Sequence, residues 1–194
     1  MAITVFRESD NTKSRYVTST FIDQNDNQIV AGSEKPFPVA DINHVRLHEG
    51  RAYYVYHLNG DANQLANDAN IDIAIAWASG KTPHLVFDVN CGGDAEFQIY
   101  EGATVTGGTS FTAINRYRPS TNVSSSAALI NPTVTSTGTV LAAQFIAGGS
   151  GGGAAGAAAF SFQYVLKPLT TYLFRLTNRS GQSHMAHAMI EWYE

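Results

Sequence analysis

Paired carboxylates are the first side chains in this sequence whose spacing could support catalysis. The candidate pairs are Asp88 with Asp94 and Glu96 with Glu101. Glycoside hydrolases use two carboxylates about 5 to 9.5 Å apart, converging in one cleft. A chain with 16 acidic residues offers such pairs by chance, and it lacks the sequence motifs of serine hydrolases and zinc proteases. We therefore predict that the protein is not an enzyme and has no catalytic residues.

Closely spaced histidines raise the question of a metal site. His184 and His187 lie three residues apart, which places them on opposite faces of a strand. His44 and His48 would share a face only on a helix, and their apolar neighbours favour a strand instead. We therefore predict no metal site, with these histidines at the surface or held by hydrogen bonds.

The single cysteine and a glycine-rich run complete the search for reactive groups. Cys91 precedes Gly92-Gly93 and is interpreted as a small apolar turn residue, not as a nucleophile. Residues 148–156 lack the Gly-Lys-Ser/Thr ending and the helix of a phosphate-binding loop. We interpret residues 148–159 as a flexible low-complexity loop, and we predict no cofactor.

Aromatic and basic residues could instead serve binding. Tyr53, Tyr54 and Tyr56 could stack on sugars or pack in the core and across strands, and the sequence leaves both open. Arg116-Tyr117-Arg118 resembles a nucleic-acid contact in miniature. Three residues are too few for such a site, and the net charge of −4 from 12 basic and 16 acidic residues is unfavourable for it. We predict no nucleic-acid partner.

The N-terminal sequence carries no visible targeting segment. It lacks a basic start followed by an apolar stretch, as a signal peptide would have. No apolar run approaches the ~20 residues that a membrane span needs. We predict a soluble protein that is made in a cytoplasm and has no membrane partner.

The elements that position these residues are predicted to be short antiparallel strands. Apolar residues alternate with small or polar ones in several segments, and turn residues recur about every 10 residues with hardly a helix between them. Small outward residues in segment 71–77 suit close packing by another element. This pattern predicts an all-β fold, an antiparallel β-sandwich or jelly roll. The predicted strands are residues 51–58, 71–77, 84–89, 96–101, 129–134, 139–146, 172–178 and 184–194, and residues 61–70 are interpreted as a loop.

The C-terminal third contains the clearest strand and the clearest corner. Alternate residues before the strand 172–178 are Leu166, Pro168, Thr170 and Tyr172. This spacing resembles the tyrosine corner, where a chain passes from one sheet of a sandwich to the other. Asn178-Arg179-Ser180-Gly181 then supplies a turn before the last strand, so the C-terminus is predicted to form a hairpin.

Residues 1–40 differ in character from residues 41–194. They contain short apolar pairs separated by polar clusters and end in Lys35-Pro36-Phe37-Pro38-Val39. The two prolines favour extended backbone. The segment is predicted to be either a disordered leader or, as we prefer, an extended N-terminal arm that orders on a neighbouring subunit. Residues 41–194 are predicted to form the sandwich body.

Charge is absent from a long part of the body. The 48 residues from Pro119 to Leu166 contain no Asp, Glu, Lys, Arg or His, and only 14% of the whole chain is charged. Strands on the surface of a free monomer normally carry charge. The gap is either a neutral Ser/Thr surface or, as we prefer, a surface that faces another copy of the chain or a host surface, where unpaired charge would be costly.

Several short phrases resemble a widespread family of virion structural proteins of tailed bacteriophages. The resemblance covers about residues 41–194. The phrases that carry it are His48-Glu49-Gly50, Ile99-Tyr100-Glu101-Gly102, Ile114-Asn115-Arg116, Asn131-Pro132-Thr133-Val134, Leu166-Lys167-Pro168, the strand 172–178 with Ser180-Gly181, and Glu191-Trp192-Tyr193-Glu194.

The resemblance implies a capsid decoration, or cement, protein with a jelly-roll or sandwich body. Its expected partners are the major capsid protein and further copies of itself, with a homotrimer favoured and a homodimer as the alternative. Its expected place is the outer capsid surface of the virion, after synthesis in the host cytoplasm. The family brings no catalytic, cofactor-binding or metal-binding residues. The alternative function is a fibre module that binds host glycans through exposed Tyr and Asn side chains.

Overall fold

The computed structural model describes residues 3–6, 17–22, 28–30, 42–148, 156–158 and 164–194. The chain divides into two compact units, Met1–Asp41 and Ile42–Glu194. In the first unit, β1 (Ile3–Phe6), β2 (Val17–Ile22) and β3 (Gln28–Val30) form a small antiparallel sheet in that order. Most of the predicted arm, residues 1–40, lies outside the described residues, so the arm stays a prediction.

The second unit begins with a short helix, α1 (Ile42–His48), and continues as strands. A 3-10 turn, Asp61–Asn63, lies within the predicted loop 61–70. The strands are β4 (Ala52–Asn59), β5 (Asn70–Trp77), β6 (His84–Cys91), β7 (Ala95–Glu101), β8 (Thr104–Thr106), β9 (Thr109–Phe111), β10 (Ile114–Asn115), β11 (Ser126–Ile130), β12 (Thr133–Ser136), β13 (Thr139–Ile146), β14 (Gly156–Ala158), β15 (Tyr164–Val165), β16 (Thr171–Asn178) and β17 (Ala186–Tyr193).

Two antiparallel sheets make up this unit. Sheet I has the order β10-β4-β17-β6-β14, with β15 also paired to β6, and sheet II has the order β13-β7-β16-β5-β11-β9. Strands β4, β5, β6 and β7 alternate between sheets I and II along the chain, and β13, β14, β16 and β17 alternate again from sheet II to sheet I. This alternation is that of a jelly roll. The predicted all-β antiparallel sandwich is therefore confirmed.

The core lies between the sheets because each strand turns its larger apolar residues inward. On β5, Ile71, Ile73, Ile75 and Trp77 are buried, as their alternation predicts. Trp77 packs edge-on against Trp192 of sheet I, with ring centroids 5.4 Å apart. Burying each such side chain contributes about 1.5–3 kcal/mol, which makes this layer the main source of stability.

The outer face of sheet II is also covered. Strands β8 and β12 pair as a two-stranded ribbon, and its Val105 and Val134 pack on Ala74, Tyr100 and Leu173 of the sheet. The outward residues of β5 are small at this point, so the ribbon can approach closely. The expectation that segment 71–77 packs against another element is confirmed.

The tyrosine corner is confirmed, whereas the predicted C-terminal hairpin is wrong. The chain passes from β15 in sheet I to β16 in sheet II, and the Tyr172 hydroxyl accepts a hydrogen bond from the Lys167 backbone N–H at 3.0 Å. Strand β16 pairs with β5 and β7, while β17 pairs with β4 and β6. The turn after Asn178 therefore carries the chain from sheet II to sheet I, where β17 lies between β4 and β6.

One predicted strand proves to be two. Segment 129–134 was predicted as continuous, but β11 ends at Ile130 and β12 begins at Thr133. Asn131 adopts a left-handed backbone, with φ of 47°. Pro132 cannot donate to a ladder, so the chain leaves sheet II here and enters the ribbon.

The strand expected around His44 and His48 is also wrong, because these residues lie on α1. The helix ends where Gly50, with φ of 67°, donates its N–H to the Leu47 carbonyl. Arg46 and Glu49 form an ion pair at 2.7 Å on its exposed side. Within the described part of the chain, no helix has the length and apolar character that crossing a bilayer requires.

Candidate functional site

The carboxylates of the candidate pairs have separate partners. Glu96 binds Arg179, and Glu101 binds Lys167 and Tyr172. These two acids lie five positions apart on β7, a Cα separation of about 16 Å, which is well beyond the carboxylate spacing of glycoside hydrolases. Asp88 lies on the outer face of sheet I, 3.8 Å from His187, and Asp94 accepts a hydrogen bond from the Gly148 N–H.

The histidines and the cysteine occupy structural positions. His44 and His48 share a face of α1, with ring centroids 4.5 Å apart. His184 packs on Gly93, whose close approach leaves no room for a side chain. Cys91 ends β6 and is fully buried. Among the residues that the structure describes, no three His, Cys, Asp or Glu side chains are grouped as a metal site would require.

Polar residues and glycines of several short sequence phrases hold turns of the fold. Asn115 donates from its side chain to the Gly50 carbonyl at 2.9 Å, and Tyr53 donates to the same oxygen. A Cβ on Gly50 would lie 2.3 Å from the Ser120 hydroxyl oxygen. Asn131 accepts a hydrogen bond from the Asp72 N–H through its side chain. These residues therefore fix the connections of the sandwich.

Tyr53 and Tyr56 of β4 have different environments. Tyr53 is buried and stacks on Trp192, as a core residue does. Tyr56 is 43% exposed and meets Phe111 edge-to-face, with centroids 5.6 Å apart. Tyr56 and Phe111 lie at a groove of about 370 Å³ between the second half of β4 and strands β9 and β11.

The groove between β4 and β9 is neutral. Besides the two aromatic rings, it is lined by Leu58, Thr109, Ile130, His57 and Asn131. Burial lowers the pKa of His57, so its imidazole is uncharged at neutral pH. The imidazole Nε2 lies 3.4 Å from the Asn131 side-chain nitrogen. The aromatic rings, the Asn131 amide and the Thr109 hydroxyl are all uncharged. Such groups can stack on a neutral sugar and form hydrogen bonds with its hydroxyls.

The uncharged stretch from Pro119 to Leu166 contributes mainly to one layer of the sandwich. It supplies β11 and β13 of sheet II and the β12 strand of the ribbon. Exposed Thr and Ser side chains cover the ribbon, including Thr104, Thr106, Thr133, Thr135 and Ser136. Strand β13 adds exposed apolar side chains, of which Val140 is 52% and Phe145 64% exposed. We name the ribbon together with β13 the uncharged surface.

Strand β13 is an edge strand. It pairs with β7 on one side, and no strand of the described residues pairs with its other side. The sequence Thr-Val-Leu-Ala-Ala-Gln-Phe-Ile carries no charge and no proline. A long apolar edge presents unpaired N–H and C=O groups that can pair with another strand. The sequence indicated the lack of charge here but could not show which strand forms the edge.

Comparison with protein families, with characterised proteins and with solved structures found no match to this chain. The site must therefore be interpreted from its own chemistry.

Proposed function

We propose that the protein is a decoration protein of a tailed-bacteriophage capsid, which binds the outer capsid surface as a homo-oligomer and stabilises the head. The observation that carries this proposal is the uncharged surface, with exposed apolar side chains on β13 and a strand edge that no described strand pairs. The jelly-roll body and the resemblance of the short sequence phrases to a phage virion family support it. The candidate catalytic groups have separate structural partners, which also favours a binding role.

In this proposal, binding of the protein to the capsid surface is what stabilises the head. Each bound copy adds contact area across boundaries between capsid subunits, and stable contacts bury about 800 Å² on each partner. A ligand that binds only the intact shell stabilises it by mass action. Neutral Thr and Ser side chains suit such a contact because burying them costs less free energy than burying unpaired charges.

The proposal is tested by locating and counting the chain in purified particles. Electron cryomicroscopy should show it at repeated positions on the outer capsid lattice. Quantitative mass spectrometry should give a copy number in proportion to the major capsid protein. A few copies confined to the tail or to fibre tips would contradict the decoration role.

A second candidate function is glycan binding by a fibre module, and the neutral groove beside Tyr56 and Phe111 favours it. A glycan array should then give a neutral oligosaccharide as ligand. Tyr56→Ala should weaken its binding by about tenfold or more, because stacking on the ring is lost. Tyr117→Ala, at an exposed tyrosine that does not line the groove, is the matched control and should leave the affinity unchanged.

A further inference from the structure

The edges of the two sheets differ greatly in length. Among the described residues, edge strands β9, β10, β14 and β15 have three, two, three and two residues. Strand β13 has eight. Proteins protect sheet edges by keeping them short, by placing Lys or Pro on them or by bulges. The short edges follow this rule, whereas the eight residues of β13 do not.

The one protective feature of β13 is confined to its start. A register shift lies between Val140 and Ala142, so Leu141 forms a bulge. From Ala142 to Ile146 the strand pairs regularly with β7. This regular half offers a row of backbone groups on its outer side, and such a row is satisfied by another β-strand.

The side chains of β13 are suited to pairing with a copy of the same strand. Val140, Ala143 and Phe145 lie opposite Tyr100, Gln98 and Glu96 of β7, and so share the outer face of sheet II. An antiparallel pair centred on Ala143 places the small residue at the axis. It sets Phe145 of each copy against the bulge at Val140 and Leu141 of the other. No charge opposes another charge in this arrangement.

We propose that two copies of this chain associate through antiparallel pairing of their β13 strands around a two-fold axis at Ala143, which joins the two copies of sheet II into one continuous sheet. The inference rests on the self-association in the proposed function and specifies its geometry. The pairing is isologous and closes at two copies, so it gives a dimer and leaves the ribbons of both copies free for the shell.

A disulfide at the axis tests the geometry directly. Directly opposed residues of antiparallel strands have Cα atoms about 4.5 to 5.5 Å apart, within the range of a disulfide. The full chain carrying Ala143→Cys, oxidised at micromolar concentration, should run as a covalent dimer on a non-reducing gel. Ser110→Cys, an exposed residue on β9 at the opposite edge of sheet II, is the matched control and should stay monomeric on the gel. The native Cys91 is buried and should not cross-link.

A charge on the outer row tests the contact without cysteine chemistry. Phe145→Lys should weaken dimerisation by at least about tenfold in analytical ultracentrifugation, because a solvated ammonium must be buried against Val140 and Leu141. Val123→Lys, at a valine that is 81% exposed and outside β13, should leave the dimer intact. Melting curves show whether each variant remains folded.

The outcomes separate this inference from the proposed function. A wild-type monomer, a dimer unaffected by Phe145→Lys, or folded Ala143→Cys protein that does not cross-link would each overturn the pairing. A cross-linked Ala143→Cys dimer that is absent from capsids would support the pairing and contradict the decoration role.

Discussion

At the scale of single residues, the fold depends on a few polar groups that join distant segments. The Tyr172 hydroxyl donates to Glu101 at 2.7 Å and accepts from the Lys167 N–H. Glu101 also binds the Lys167 ammonium at 2.7 Å. Burial raises the pKa of Tyr172 to about 12, so its hydroxyl remains a donor through the neutral range. These three residues fix the corner between the sheets.

Removing the hydroxyl should destabilise the sandwich. Tyr172→Phe keeps the buried ring but loses one neutral hydrogen bond and one to a carboxylate, a cost of about 2–3 kcal/mol. For a chain of this size, that lowers the melting temperature by roughly 4–12 °C. Tyr117→Phe, at an exposed tyrosine, should change it little, and calorimetry of both variants measures the difference.

The acid limb of the stability curve should also depend on Glu101. The hydrogen bond from Lys167 is the main cause that lowers the pKa of this carboxyl below 4.5, followed by the bond from Tyr172. Because the folded value is the lower one, the stabilisation is present above pH 4.5 and is lost as the pH falls through the folded pKa. When the pH is lowered from 5 into the acid range, the free energy of unfolding should therefore fall less in Glu101→Gln than in wild type. Urea titration at each pH measures it. An identical loss in both proteins would contradict this role.

At the scale of elements, the turn between β16 and β17 decides the topology. Asn178 is fully buried and donates to the Leu65 and Gln182 carbonyls at 2.8 and 2.7 Å. Its side-chain oxygen accepts from the Ser180 N–H. One amide therefore holds the loop after β4, the end of β16 and the turn toward β17.

Asn178→Ala should be among the most costly substitutions at a polar residue. It leaves buried backbone groups without partners, which costs about 2–4 kcal/mol in the free energy of unfolding. Asn63→Ala, at an exposed asparagine of the 3-10 turn, should cost less than about 0.5 kcal/mol. Urea titration followed by tryptophan fluorescence compares them, since Trp77 and Trp192 are both buried.

Strands with clear alternation could be predicted from the sequence, whereas their pairing could not. The bounds of β13 agree fully, and β16 begins one residue early. The helix α1 was missed because its apolar residues also fit a short strand, although Asp41 before Ile42 and Gly50 after His48 match helix start and stop signals. The hairpin prediction failed because a turn sequence does not specify whether the next strand joins the same sheet.

At the scale of the whole molecule, the body should be independent of the segment before it. Residues 42–194 form a compact unit with its own core. Deletion of residues 1–40 should leave a folded, self-associating protein that binds particles more weakly. Circular dichroism, ultracentrifugation and co-sedimentation with capsids measure the three properties. Unchanged binding would contradict the arm.

The candidate surface was predictable only in part. The lack of charge between Pro119 and Leu166 is visible in the sequence and indicated a contact. The position of β13 at the edge of sheet II is not visible in the sequence. It depends on β16, which lies far along the chain and pairs with the other side of β7. Long-range pairing thus decides which uncharged residues form a ladder edge and which line the groove.

The order of the strands also has a consequence for biosynthesis. Strands β16 and β17 lie in the interior of sheets II and I, between β7 and β5 and between β6 and β4, and they follow those neighbours along the chain. A nascent chain emerging from the ribosome therefore holds four long strands whose inner edges stay unpaired until β16 and β17 are translated. Such half-formed sheets are prone to aggregate. The protein should consequently fold after translation of β17 and gain soluble yield when chaperones are abundant.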